Sequence, residues 1–505
     1  MNEKQTPLYE RLWQTAGAAL HRHRTPFFSA LLVGLAAHGY AFFNKLVNHD
    51  EIESLFGKGA TVTSGRWGLE AVKLLFPDWS MPWIYGLLSL LLMALACCMM
   101  LELLDIRSGP LQALCAALVV SFPSLTGIFC FMFTSSAYAC SFLLSVLAVA
   151  AARRGGLPMA CLGALLLTLA LGIYQAYIAV TAGLFLLRMM AEAMDAERPV
   201  RDIVLDGVRA LLLMAAAIAL YYAVTLLVFR FTGAQFNDYV AENVNGGTSL
   251  LRRVRIAYDN FFYIYGFRNF YLIPYEFLRV LHIVLGAITL IGMALLALRR
   301  KKPLHAALLL VLTLLLPLCV CCMFLIMSPR SIHTLVLYGF VAVYLLTALV
   351  IERMAVGVSR PAAESAAIFL AIIVAGNVYF ANMCYLKLQL QLDSARAFYT
   401  ALSAQIKSTE GFDENSRLAL IGHQDNLLYD FPELDTELFL GVSRDLVNIY
   451  SRENLFRCYL GFAIPFADEA ELAALERDPR VQAMAEYPYF GSVRKLDDWI
   501  VVRLG

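Results

Sequence analysis

Long apolar runs, separated by short polar segments, occupy the first three quarters of the chain. Most of them approach the roughly 20 residues that an α-helix needs to cross the hydrocarbon core of a bilayer. About eleven such segments are predicted, near residues 26–47, 83–104, 110–128, 137–152, 157–173, 176–192, 207–232, 276–298, 304–327, 333–351 and 364–382. The pattern therefore predicts a polytopic α-helical membrane protein with about eleven transmembrane helices.

Arginine and lysine mark every second connection between these segments. Basic residues precede the first segment at Arg22 and Arg24, and the strongest basic cluster is residues 299–302. Because such residues concentrate on the cytoplasmic side of a membrane, we expect the amino terminus in the cytoplasm. An odd number of crossings then places the carboxyl terminus outside, with outer loops at residues 48–82 and 233–275.

The pattern changes after residue 382. It predicts an amphipathic helix near residues 384–407, a buried strand at 417–422, an acidic helix at 467–478 and a hairpin over 492–504. We therefore expect two parts, a transmembrane domain over residues 1–382 and an extracytoplasmic mixed α/β domain over residues 383–505.

Composition supports this division and excludes one class of partner. The chain is 60% hydrophobic and 16% charged, whereas a soluble domain carries about 25% charged residues. With a net charge of +1 and no basic run of the required kind, nucleic-acid binding is not expected. Most of the eleven cysteines lie in apolar segments, where cysteine packs as a small hydrophobe. Cys384 and Cys458 follow those segments, and the sequence leaves their pairing open.

Two adjacent carboxylates, Asp50 and Glu51, follow the first apolar segment. A carboxylate at the membrane edge is costly unless it has a partner or a function. It could take the proton from an acceptor hydroxyl as a general base, or bind a divalent metal such as Mg or Mn. An acidic loop in water is an equally weighted alternative. His49, directly before the pair, is a candidate substrate ligand.

A second polar element follows in the same loop. Ser64 is expected to cap a helix that runs from Gly65 to about Phe76 and lies along the membrane interface. Arg66 would then be placed to bind a lipid phosphate, which suits a planar and permanently charged group. Alternatively, Arg66 pairs with Glu70, four residues further on.

Other polar residues lie at the turns of the apolar hairpins. Tyr174 and Gln175 lie between two short segments, where a sugar hydroxyl or a neighbouring helix could satisfy them. Arg330, with His333 near it, lies in a short outer turn and contacts either a phosphate or lipid headgroups. Residues 252–275 mix arginines with aromatic residues, which favours a surface helix in contact with membrane lipids.

Several of these motifs occur together in one known family. Asp50-Glu51, Gly65-Arg66, the Tyr-Gln pair within residues 172–176 and the pattern over residues 487–493 follow one another along nearly the whole chain. In this order they resemble the Gtr type II glucosyl transferases, the serotype-converting O-antigen glucosyltransferases of the GT-C superfamily.

The resemblance implies a GT-C-like enzyme of the bacterial inner membrane. Such an enzyme takes a sugar, here expected to be glucose, from a polyprenyl-phosphate-sugar donor. It passes the sugar with inversion to an extracytoplasmic cell-envelope glycan such as the O-antigen of lipopolysaccharide. The alternatives are a lipid-linked glycan transporter or flippase, an O-antigen polymerase or ligase, and a non-enzymatic scaffold. A transporter would favour internal repeats, and the sequence shows none.

The resemblance, together with the positions of the residues in the predicted loops, suggests a role for each candidate. Asp50 or Glu51 would be the base, with Asp50 preferred, and Arg66 and Arg330 would bind the donor phosphate. The expected sugar or substrate ligands are Tyr174, Gln175, His49 and His333. The chain has Asp-Glu where the family more often has Asp-Asp, which leaves a metal on Asp50 and Glu51 open; no cofactor is otherwise expected.

Overall fold

Helices make up most of the chain that the computed structural model describes. The described residues are 7–57, 59, 61–75, 79–238, 248–267, 276–327, 333–413, 415–423, 428–429, 431, 434 and 446–505. Within them the longer helices are α1 (Leu8–Arg22), α2 (Arg24–Phe43), α5 (Pro82–Leu104), α6 (Gly109–Ser121), α8 (Met132–Arg153), α9 (Leu157–Ile173), α10 (Ile178–Asp195), α11 (Val200–Thr232), α12 (Leu250–Phe262), α13 (Glu276–Arg300), α14 (Pro303–Val320), α15 (Val341–Gly357), α16 (Arg360–Ser408) and α18 (Glu469–Glu476). The shorter ones are α3 (His49–Glu53), α4 (Gly68–Val72), α7 (Pro123–Phe129), α17 (Arg452–Asn454) and α19 (Pro479–Gln482).

The transmembrane part matches the predicted segments one for one. In the described part of the chain, nine helices are long and apolar enough to span a membrane. A tenth candidate is the pair α6 and α7, bent by 44°, and α9 is a shorter apolar helix of 17 residues. Each of the eleven predicted segments coincides with one of these, so the prediction of a polytopic helical membrane protein is confirmed.

The bend between α6 and α7 has a clear local cause. Phe122, between the two helices, has an extended ψ of 135°, and Pro123 begins α7. Proline has no backbone N–H to continue the hydrogen bonding of the preceding helix, and it disfavours helical geometry in the residue before it. The predicted third segment is therefore two short helices.

Helix α16 joins the membrane part to the carboxyl-terminal part without a break. It has 49 residues, which at 1.5 Å per residue gives a length of about 74 Å, more than twice the thickness of a hydrocarbon core. His38 of α2 holds it against the first helices. One ring nitrogen of His38 hydrogen-bonds the hydroxyl of Tyr385 in α16 at 2.8 Å, and the other hydrogen-bonds the carbonyl of Val120 in α6 at 2.7 Å. The predicted boundary at residue 382 falls inside this one helix.

The carboxyl-terminal part contains a small mixed sheet. Its strands, β1 (Arg417–Ile421), β2 (Val493–Leu496) and β3 (Trp499–Arg503), lie in the order β1-β3-β2. β1 is parallel to β3, and β2 pairs antiparallel with β3 in the hairpin that the sequence predicts. Asp497, in the turn, has a left-handed φ of 54°. Cys384 and Cys458 are both free thiols, so the pairing that the sequence left open is not formed.

The second predicted outer loop contains helix α12. One of its arginines, Arg253, donates to the carbonyls of Thr248 and Leu325, both at 3.1 Å. This arginine is therefore packed against protein, whereas Arg255 is largely exposed and paired with Asp259 at 3.5 Å. Residues 239–247 and 268–275 of this loop lie outside the described part of the chain.

Candidate active site

The first outer loop is fixed to the start of helix α8. Asn48 caps α3, because its side-chain oxygen accepts a hydrogen bond from the Glu51 backbone N–H at 2.9 Å. Its amide nitrogen donates to the Cys130 carbonyl at 2.8 Å. The two carboxylates therefore lie on a short helix whose amino-terminal end is capped by Asn48 and held to the Cys130 carbonyl. Asparagine is one of the preferred residues at this capping position.

Glu51 points into the protein and is fully buried. Its Oε1 accepts hydrogen bonds from the Lys45 ammonium and the Ser80 hydroxyl, and its Oε2 accepts one from the Phe133 N–H at 3.1 Å. Phe133 lies in the first turn of α8, where N–H groups lack partners within the helix. Because protein donors occupy both oxygens, Glu51 holds the loop against α8 and has little room for a substrate.

Asp50 points the other way. Its side chain is 44% exposed, and Oδ1 accepts a hydrogen bond from the Tyr450 hydroxyl at 2.6 Å. The His49 ring nitrogen Nε2 lies 3.7 Å from the same oxygen. Burial and the hydrogen bond to Asp50 raise the pKa of Tyr450 above its ordinary value. Of the two adjacent carboxylates, Asp50 is therefore the one that a ligand can reach.

The metal that the sequence left open on Asp50 and Glu51 does not fit this geometry. The two carboxylates face different partners, and Glu51 is neutralised by Lys45. Among the described residues, no group of three histidine, cysteine or acidic side chains converges as ligands for a metal ion. A divalent cation prefers several oxygen ligands around one point, which this pair does not provide.

The predicted interfacial helix starts later than expected. Residues Val62–Ser64 form a 3-10 turn that ends at Gly65, whose φ is +69°, and α4 begins only at Gly68. The Ser64 carbonyl accepts from the Gln175 amide at 3.2 Å, and the Gly65 carbonyl accepts from the Tyr221 hydroxyl at 3.1 Å. The prediction of a helix from Gly65 is therefore wrong, because this backbone is bonded to two neighbouring helical elements instead.

Arg66 contacts two stacked tyrosines, one through a hydrogen bond and the other through its ring face. Its Nη1 donates to the Tyr138 hydroxyl at 3.0 Å, and its guanidinium carbon lies 5.4 Å from the centre of the Tyr174 ring. The two tyrosine rings stack with their centres 4.2 Å apart. A guanidinium over an aromatic face is held by cation–π attraction, so its position is fixed before any ligand arrives.

Glu70 pairs with residues other than Arg66, so the alternative that the sequence offered is not formed. Glu70 accepts a hydrogen bond from Thr61, and its other oxygen lies 2.9 Å from the Lys73 ammonium. Burial opposes the charge on Glu70, but these two partners outweigh burial and lower its pKa. The charge of Glu70 is thereby satisfied by Thr61 and Lys73.

The remaining predicted ligands have separate positions. Gln175 donates from one amide nitrogen to Ser64 and to Tyr221, so it supports the Arg66 loop, which favours the helix-packing alternative. The Nδ1 of His333 is buried and has no hydrogen-bond partner among the described residues. Burial lowers the pKa of His333 to about 4, and the charge of Arg66 adds to this. Arg330 lies outside the described part of the chain.

Sequence reasoning missed several residues of this site. Lys45 had a usable signal, since it is a cation near the end of the first apolar segment and six residues before Glu51. Ser80, Tyr138 and Tyr221 had no distinguishing pattern. Tyr450 lies 400 residues from Asp50, so only the folded chain reveals it.

The fold and the site define a polytopic helical membrane protein with an acidic group and an arginine on one loop after its first span. The family model of glucosyl transferase GtrII matches residues 39–346, which is more than half of the chain. The chain therefore belongs to the GtrII glucosyl transferase family, and its activity is glycosyl transfer. A comparison with curated proteins finds no match.

Proposed function

We propose that this protein moves a glucosyl residue from a polyprenyl-phosphate donor to an extracytoplasmic glycan such as O-antigen, with inversion at the anomeric carbon. The observation that carries the proposal is the position of Asp50. It is an accessible carboxylate, fixed by Tyr450, on the loop after the first span of a GtrII family member.

Asp50 acts as the general base in this proposal. The acceptor hydroxyl oxygen attacks the anomeric carbon and forms the new glycosidic bond, while its proton passes to the Asp50 carboxylate. The bond from the anomeric carbon to the phosphate oxygen breaks, and its electron pair leaves with the polyprenyl phosphate. One displacement inverts the configuration, so no covalent enzyme intermediate is formed.

Arg66 stabilises the departing phosphate. A preorganised cation is most effective where negative charge develops in the transition state. Its support by Tyr138 and Tyr174 gives it that preorganisation. We assign His333 to the same end of the site, because Arg66 lies close enough for its charge to lower the pKa of the His333 imidazole. Arg330 is the proposed second phosphate ligand, on sequence grounds.

The other residues of the site position these groups or meet the substrate. Glu51, with Lys45, fixes the loop that carries Asp50, and Gln175 fixes the loop that carries Arg66. His49, beside Asp50, contributes to the substrate pocket. The apolar helices provide walls for the polyprenyl tail and face the membrane lipids.

We place the enzyme in the bacterial inner membrane, with its amino terminus in the cytoplasm. The basic residues 299–302 support this orientation. The contact between Asp50 and Tyr450 supports a carboxyl-terminal part on the same side as the first outer loop. Donor and acceptor would then meet on the outer face.

The test is transfer of labelled glucose from polyprenyl-phosphate-glucose to the glycan by the purified protein in lipid discs. Asp50→Asn should lower kcat by about 100-fold or more, the range that general-base catalysis contributes. The control is Asp259→Asn, an exposed acid on α12 that should leave the rate unchanged. Transfer by Asp50→Asn at the rate of the control would overturn the assignment of the base.

A further inference from the structure

Residues 446–460 of the carboxyl-terminal part lie against the loop that carries Asp50. Besides the Tyr450–Asp50 hydrogen bond, the Asn454 amide donates to the Glu53 carboxylate at 2.9 Å and to the Glu53 carbonyl at 3.3 Å. Two side chains of this segment therefore contact two residues of α3. Two of the three hydrogen bonds go to carboxylates, and such bonds are stronger than those between neutral groups.

The segment is itself anchored to the small sheet. Arg452 is buried, and its guanidinium donates to the carbonyls of Leu420 at 3.2 Å and Gly422 at 2.8 Å. These carbonyls lie at the end of β1. Because the sheet holds Arg452, the position of Tyr450 relative to Asp50 is set by the fold of the carboxyl-terminal part.

Tyr450 is half exposed in spite of its hydrogen bond. Its residue exposure is 51%, and the neighbouring Ile449 is 53% exposed. The ring of His49 meets the Tyr450 ring edge-on, with the centres 5.9 Å apart. An exposed tyrosine beside an accessible carboxylate suits a ligand-binding position, because tyrosine offers a rigid apolar face with a polar end.

We propose that Tyr450, with His49 and Ile449, forms the subsite for the acceptor sugar. The tyrosine ring supports the C–H face of a pyranose, through weak C–H contacts and the exclusion of water. Its hydroxyl donates to Oδ1 of Asp50, and His49 approaches the same oxygen, so within the described part of the chain Oδ2 is left for the acceptor hydroxyl. This inference rests on the function proposed above and names where its carbohydrate acceptor binds.

One residue of this subsite, Tyr450, lies outside the part of the chain that matches the family. The family match ends at residue 346, and Arg66 and His333 lie within it. Tyr450 lies about a hundred residues beyond its end. The donor is then bound within the part shared with the family, whereas the acceptor subsite combines His49 and Asp50 of that part with Tyr450 beyond its end.

The experiment measures the acceptor KM at saturating donor, and separately the binding of labelled polyprenyl-phosphate-glucose. Tyr450→Ala removes both the ring and the hydroxyl, so the acceptor KM should rise about tenfold or more while donor affinity stays unchanged. Tyr450→Phe keeps the ring but releases Asp50, so it should lower kcat more than it raises KM. Unchanged donor affinity also shows that each variant is folded. The control is Tyr489→Ala, which removes a tyrosine that is 73% exposed in the same part of the chain.

The outcomes separate this inference from the proposed function. If the unmodified protein transfers glucose but Tyr450→Ala has the same acceptor KM as Tyr489→Ala, the subsite is wrong and the function stands. If Tyr450→Ala weakens donor binding as much as acceptor use, the tyrosine is not specific to the acceptor and the inference also fails. Absence of transfer by the unmodified protein, with donor still bound, would instead overturn the proposed function.

Discussion

Asp50 and Glu51 show how two neighbouring carboxylates receive different tasks from their surroundings. Glu51 is buried against Lys45, Ser80 and the start of α8, whereas Asp50 is open to solvent on its other side. Environments that differ in this way separate the roles of like groups in an active site. The sequence offered both residues as the base, with Asp50 preferred, and the directions of the two side chains favour the same choice.

The first prediction concerns Lys45, the cation that pairs with the buried Glu51. Lys45→Met should lower the free energy of unfolding by about 2 kcal/mol, because it leaves a buried carboxylate without its cation. Lys45 is itself 25% exposed, so solvent reduces the effect below that of a fully buried pair. Unfolding is measured by denaturant titration in detergent.

The matched control for this prediction is Lys73→Met, in the same outer loop. Lys73 pairs with Glu70, whose side chain is 42% exposed, and such surface pairs contribute about 0–1 kcal/mol. Equal losses from the two variants would show that Glu51 does not depend on Lys45.

At the scale of elements, the sequence predicted what depends on local pattern. Apolar length located the candidate membrane helices of the described chain, and a turn followed by a continuous apolar run located the β2–β3 hairpin. The helix expected from Gly65 failed because Gln175 and Tyr221 take its carbonyls, and these residues lie over a hundred positions away. The Tyr450 contact was out of reach for the same reason, since no local pattern encodes a tertiary partner.

Gly65 provides the prediction at this scale. A Cβ at this position would lie 2.6 Å from the Tyr221 hydroxyl, so Gly65→Ala must displace either the loop that holds Arg66 or the Tyr221 hydroxyl that bonds this loop. We expect the donor KM to rise about tenfold, because a small displacement of a phosphate ligand is costly to catalysis. Steady-state kinetics with varied donor concentration measures this.

The control for backbone strain is Gly155→Ala. Gly155 has a similar φ of +74°, and a Cβ there would meet nothing within 4 Å. The strain of a left-handed alanine, about 1–2 kcal/mol, is thus common to both variants, and only the collision with Tyr221 differs. A donor KM that rises equally in both would assign the effect to strain alone.

For the whole molecule, contacts at two opposite ends determine how often the chain crosses. At one end, Arg153 and Arg188 donate to the Leu103 carbonyl at 3.4 and 3.3 Å, so the ends of α5, α8 and α10 meet. At the other end, Glu51 meets Phe133 and Ser64 meets Gln175. The chain must therefore return from the first end to the second both through α6–α7 and through α9.

This geometry supports eleven crossings, since the bent pair and the short helix α9 add to the nine longer helices. The distinguishing position is Gly155, between α8 and α9. With eleven crossings, Gly155 lies in the cytoplasm. With nine crossings, the bent pair and α9 both turn back within the membrane, and Gly155 lies outside. A fluorescent protein fused after residue 155 should therefore be bright and a phosphatase fused there inactive, while a phosphatase after residue 505 should be active. An active phosphatase at residue 155 would show that the bent pair and α9 do not cross the membrane. That result would contradict the hydrogen bonds of Glu51 with Phe133 and of Gln175 with Ser64.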